Sequence, residues 1–211
     1  MMEVRRDVSS LRDDQAQLEF LRNHDAVTGL LNSSAFLSKV NSLRDDRDHG
    51  VPCVGVARIR LLSLDRVVEG FPASALEQLL KVFAERLQAW SILGGVFGFQ
   101  GNSDFLAALP VANQGSDVDA ARHLVASVVR DPIEIHGQDV FIQAMVGIST
   151  RSRRRIDAET MLQEATTGLL RDLDRRPRNA PMPSALATSG FRRIDIEARL
   201  RAAVRRETLG I

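Results

Sequence analysis

Four kinds of side chain in this sequence could do chemistry: histidine, cysteine, arginine and the carboxylates. The histidines His24, His49, His123 and His136 are scattered, and no two sit four apart as a helical metal pair would. Cys53 is the only cysteine, which excludes disulfide frameworks and cysteine-rich zinc sites. It stands in an apolar run and reads as a small buried hydrophobe rather than a nucleophile. Lys39 and Lys81 are the only lysines, so the basic charge is carried by arginine. Arginines cluster at Arg151, Arg153, Arg154 and Arg155, and again from Arg171 to Arg178, but Asp157, Glu159, Asp172 and Asp174 break up their field. A solvated loop and helix end fits them better than an anion-binding patch. Gly94-Gly95-Val96-Phe97-Gly98 is glycine-rich but lacks the lysine and following helix of a phosphate-binding loop. The segment from Val56 to Leu64 holds Arg58 and Arg60 and no carboxylate.

Elements must position these groups. Cys53–Leu62 reads as a strand, with Arg58 and Arg60 on the same side as Val54 and Val56. Between Ile92 and Leu109 two strands flank Gly101-Asn102-Ser103-Asp104, a composition suited to a tight hairpin turn. A second hairpin centres on Gly137. Helical spacing places Phe36, Leu37, Val40 and Leu43 on one helix, with serines as caps. Leu76, Leu79, Leu80, Phe83 and Leu87 share another that starts at Pro72. Val118, Ala121, Leu124, Val125 and Val128 mark a third, and Met161, Leu162, Ala165, Leu169 and Leu173 a last one starting near Asp157. Trp90, Phe97 and Phe99 are assigned to the core.

Val4, Val8, Leu11 and Leu18 form a short heptad stripe, which suits either a helical stalk over 1–23 or a single surface helix packing on the domain. Three prolines among small polar residues near 175–190 read as a linker, followed by an amphipathic helix with Ile196, Leu200, Ala203 and Val204. The 211 residues are 44% hydrophobic, enough for one core, and the net charge of +1 argues against a general nucleic-acid binder. No apolar run approaches a membrane span and no signal-peptide core opens the chain, so a cytoplasmic location is expected. Hairpins mixed with helices predict an α/β (α+β) domain: a central mixed, mainly antiparallel sheet surrounded by helices.

The order of elements and the wording of several resemble the GGDEF domain of diguanylate cyclases. HDAVTGLLNSSAFL (24–37) is similar to that family's opening HDxLTGLxNRRxF, and GNSDFLAALP (101–110) stands where GGDEFxxLLP belongs. DPIEIHGQDVFIQAMVGIST resembles the late hairpin and SxGIA strand, and DAETMLQEATTGLL the final helix. The resemblance covers residues 20–179, dividing the chain into a stalk at 1–23, a GGDEF domain at 24–179, and a linker with lead-in helix at 180–211. That helix looks like the approach to an EAL phosphodiesterase domain in tandem GGDEF–EAL proteins.

The resemblance implies a nucleotide-cyclase/palm-like fold and a reaction in which two protomers condense two GTP molecules with metal ions held by carboxylates. In that register the metal-binding aspartate falls on Arg60. The remaining positions of DxDxFK fall on Leu62, Leu64 and Asp65. The motif itself becomes Gly101, Asn102, Ser103, Asp104 and Phe105, with serine at the acidic third position. The guanine-reading asparagine falls on Val68, its aspartate partner near Glu77, and the phosphate-contacting lysine on Leu173. The RxxD product site falls on Ile92 and Gly95. A guanidinium is a donor only and repels Mg²⁺. The expectation is therefore a degenerate domain that is not an enzyme, holds no metal or cofactor and binds no nucleotide. Its role would be relay or dimerisation in a cyclic di-GMP signalling protein. The alternative is a metal-independent GTP sensor controlling a downstream EAL domain. Implied partners are adjacent sensor and EAL domains of the same protein, with a homodimer and a separate protein partner left open.

Overall fold

The computed structural model describes residues 20–43, 53–62, 64–111 and 117–175. The heptad stripe and residues 180–211 lie outside them, as does His49.

The chain enters through a helix end at residues 20–23 and a turn built by Asp25. One carboxylate oxygen of Asp25 accepts from Val27 N (3.2 Å), Thr28 N (2.8 Å) and Thr28 Oγ1 (2.8 Å), so a single acid orders the whole turn. The His24 ring stacks on Phe20 with centroids 4.2 Å apart. A short strand β1 (Leu31–Asn32) leads to helix α1 (Ser33–Ser42). The cap is Asn32 rather than a serine: its side chain accepts from Ala35 N at 3.0 Å while its amide donates to Arg22 O at 2.7 Å. Asparagine can do both because its side chain carries an acceptor and donors.

The remaining elements follow the periodicities. Strand β2 (Cys53–Leu62) is central, and all of it is buried except Arg58, Arg60 and Leu62, which are half-buried. A short helix α2 (Asp65–Gly70), not foreseen from the sequence, precedes α3 (Ala73–Gln88). A 3-10 turn over Ala89–Leu93 closes on Gly94 at φ 77°. The expected strand from Ile92 therefore begins only at Val96, because Gly94 in the left-handed region ends the helical turn first. Strands β3 (Val96–Gly101) and β4 (Asp104–Val111) form the anticipated hairpin, followed by α4 (Asp117–Val129). β5 (Ile133–Ile135) and β6 (Gln138–Val140) pair around His136-Gly137, both at positive φ, as a small separate sheet. The following β7 (Gln143–Ser152) joins the main sheet instead, and α5 (Ala158–Arg175) completes the domain.

The main sheet has the order β1-β3-β4-β2-β7. Only β1 and β3 are parallel; the other three pairings are antiparallel. Each face buries its own core. On one side Ala57, Ile59, Phe97, Phe99, Phe105 and Ala107 meet Leu79, Phe83 and Leu87 of α3 and Leu124, Val125 and Val128 of α4. On the other, Val54, Val56, Leu106 and Ala108 meet Phe36 and Val40 of α1 and Met161 and Leu162 of α5. Trp90 is half-buried against the first of these cores. Arg86 of α3 fastens that side, donating from its guanidinium to Val128 O (3.0 Å) in the last turn of α4 and to Asp131 O (2.5 Å) and Pro132 O (2.7 Å) just after it.

One glycine is needed by packing. A Cβ on Gly147 of β7 would lie 1.9 Å from Ala165 O and 2.7 Å from Leu169 N, so α5 rests directly on the backbone of β7. No described helix is long and apolar enough to cross a membrane.

Candidate functional site

The strand alternation that buries Val54 and Val56 against α5 carries Arg58 and Arg60 along the same face toward the end of β2. Register does the rest. Arg60 stands directly opposite Asp104 and Arg58 opposite Leu106 on β4, so both arginines can reach the first residue after the hairpin turn. The turn residues Asn102 and Ser103 sit beside the strand end, where Ser103 O accepts from Leu61 N at 2.9 Å.

Arg60 grips Asp104 with two donors, Nε to Oδ1 at 2.7 Å and Nη2 to Oδ2 at 2.8 Å. Arg58 adds Nη2 to the same Oδ2 at 2.5 Å, and its Nη1 donates to Thr166 Oγ1 of α5 at 3.1 Å. Asp104 is 6% exposed, one of three buried polar or charged residues in the described chain. The arginine side chains are 16% and 29% exposed. Burial pushes the Asp104 carboxyl's pKa up, but hydrogen bonds from Arg60 and Arg58 and their positive charges outweigh it and hold the value below the ordinary aspartate range. The bond to Asp104 correspondingly raises Arg60, against the opposing effect of its own burial.

The sequence drew attention to Arg60 and Asp104, and the fold brings them together. Gly101 and Asn102 take φ 100° and 54°, and Phe105 is fully buried between Phe83 and Phe99. Val68 lies on α2 with its side chain 59% exposed, Glu77 is exposed on α3, and Leu173 is half-buried on α5. Ile92 is 84% exposed on the 3-10 turn, with Gly95 beside the start of β3. The sequence reading gave no role to Arg58 or Thr166. The available signal for Arg58 was its i, i+2 spacing from Arg60; Thr166 is brought in only by helix packing. Of the arginine cluster, Arg151 pairs with Glu164 of α5, not with the acids nearer in sequence.

The mixed, mainly antiparallel sheet with helices on both faces is the architecture of nucleotide-cyclase-like domains. A sequence profile described as diguanylate cyclase, GGDEF domain, matches residues 22–179, and the chain belongs to that family. Three solved structures illustrate the likeness. A sensory box/GGDEF family protein from Caulobacter crescentus is 22% identical with TM-score 0.63, over 72% of this chain and 98% of that one. The coiled coil and GGDEF domain of DgcB from the same organism, in complex with c-di-GMP, is 14% identical with TM-score 0.65, over 82% and 91%. The GGDEF domain of FimX from Pseudomonas aeruginosa is 19% identical with TM-score 0.61, over 73% and 95%. At these identities the likeness is one of fold. No curated protein matches the chain.

The family implies a divalent cation, and the residues present do not fit one. Mg²⁺ needs hard oxygen ligands in octahedral array. Both oxygens of Asp104 already accept guanidinium hydrogens, and Arg60 places positive charge beside them. Among the described residues, no three His, Cys, Asp or Glu side chains gather as a metal site.

Proposed function

We propose that this chain is a catalytically silent GGDEF domain serving a cyclic di-GMP signalling protein as a regulatory or structural module. It relays a signal, or supports dimerisation, between an upstream sensor and a downstream EAL domain, in the cytoplasm. The observation that carries this reading is the pairing of Arg60 with Asp104 at the end of β2, where a cyclase would keep carboxylates free for metal. Phosphoryl transfer depends on positioning and on charge neutralisation by metal, and both would be deficient here. Val68 adds to this, since an aliphatic side chain offers no polar contact to guanine. The test is direct: purified protein with GTP and Mg²⁺ or Mn²⁺ should form no cyclic di-GMP, and metal-dependent product above a no-enzyme control overturns the reading. The runner-up, a metal-independent GTP sensor, would need Arg60 to meet phosphate, but that guanidinium is committed to Asp104. GTP titration by calorimetry separates the two.

A further inference from the structure

We infer that Arg58 and Arg60 act as built-in cations for the motif hairpin, locking it through Asp104 to the last helix whatever the metal concentration. The inference rests on the bonds from both arginines to Asp104 and from Arg58 to Thr166, not on the absence of turnover.

The geometry supports a lock rather than a passive ion pair. A bidentate guanidinium fixes the orientation of the carboxylate it holds, not merely its distance. Arg60 does this across the β2–β4 ladder, and Arg58 supplies a second cation to the same Oδ2. Arg58 then continues to Thr166, so the hairpin, the central strand and α5 share one connected network. The neighbouring pair on the other side of β2 makes this reach possible. Arg58 is in register with Gly147, whose missing Cβ lets Ala165, the residue before Thr166, settle onto the strand. The side chain of Thr166 also donates back to Leu162 O at 2.7 Å, leaving its oxygen oriented to accept from Arg58. One buried donor, Arg58 Nε, has no protein partner, so the arrangement is built around Asp104 and Thr166 rather than around every N–H of Arg58. A dissociable cation would hold such a hairpin only while bound. Side-chain cations are present as long as the chain is folded.

Hydrogen exchange and thermal melting of the full chain test this. In the wild type, protection of the amides at 101–104 and the melting temperature should be the same in millimolar Mg²⁺, in millimolar Mn²⁺ and in chelator. Arg60→Asp should speed exchange at the hairpin about tenfold or more in chelator, since it removes the bidentate partner and sets two carboxylates opposite each other. Millimolar Mn²⁺ should then restore much of that protection, an outcome that a merely structural arginine would not produce. Thr166→Val, a mild change, should loosen the hairpin while leaving it metal-insensitive. The inference is overturned if metal protects the wild-type hairpin, if Arg60→Asp folds and shows no metal rescue, or if Thr166→Val leaves hairpin exchange unchanged. Should Arg60→Asp not fold, the wild-type and Thr166→Val measurements still decide. Cyclic di-GMP production would defeat the proposed silence without touching these results; a metal-sensitive wild-type hairpin without product would defeat only the lock.

Discussion

Gly147→Ala offers the sharpest test of the packing on which the site depends. The added Cβ would lie 1.9 Å from Ala165 O and 2.7 Å from Leu169 N, both of them backbone atoms of α5. Ordinary contact requires about 3.5 Å, so the helix must retreat by roughly 1.5 Å or the strand must bend. Ala165 and Leu169 are fully buried and cannot give way by rotating. Overpacking of this kind costs about 1–3 kcal/mol, and the retreat adds lost contact along α5, so we expect about 3 kcal/mol. For a chain of this length that corresponds to roughly 6–12 °C in melting temperature. The same retreat would stretch the 3.1 Å bond from Arg58 to Thr166. Urea denaturation followed by far-UV circular dichroism measures the loss. Gly168→Ala, in the same helix, is the control: nothing lies within 4 Å of its added Cβ. That substitution should stabilise by about 0.5–1 kcal/mol through helix propensity. A loss below about 1 kcal/mol for Gly147→Ala would refute the direct helix–strand contact.

Asp104 contributes a pH dependence whose sign follows from its lowered folded-state value. Its stabilisation should be complete above the unfolded aspartate value of about 3.9 and disappear as pH falls through the lower folded one; Asp104→Asn should flatten acid melting curves in that window. Arg86→Met should destabilise by about 1–3 kcal/mol in urea melts, because the carbonyls of Val128 in the last turn of α4 and of Pro132 after it lose their donor. Arg60→Asp combined with Ser103→Glu should gain weak Mg²⁺ or Mn²⁺ affinity, visible as thermal stabilisation at millimolar metal, without gaining cyclase activity; a folded double variant lacking any metal response would refute the register. Cyclic di-GMP should show no calorimetric binding to this chain, since Ile92 and Gly95 offer neither charge of an arginine–aspartate product site.

Much of the fold could be read in advance because its elements obey simple periods. The run of β2, the hairpin at 101–104 and the apolar faces of α3 and α5 are local patterns, and the structure has each of them. Helix α2 was invisible because a six-residue run around the buried Val67 carries too little periodicity. The start of β3 was misplaced because Ile92 is apolar yet points to solvent, so composition and burial part company there. At the site, Arg60 and Asp104 were legible singly, through their places in a familiar motif. Their bonding partners were not. Arg58 reaches Asp104 by strand register across 46 positions, and Thr166 reaches Arg58 by helix packing across 108.

The turn at Asn102 bears on how such a domain could arise. Its φ of 54° is a conformation that glycine adopts freely and asparagine more readily than other side-chain-bearing residues. Asparagine at this point therefore keeps the hairpin's path while putting atoms where a glycine leaves open space. Asp104 likewise keeps an acid at the strand end while Ser103 does not. Selection for folding and selection for turnover thus act on different atoms of the same four residues. On the silent reading proposed above, substitution here can keep the hairpin's path, and a return to activity would require several changes at once.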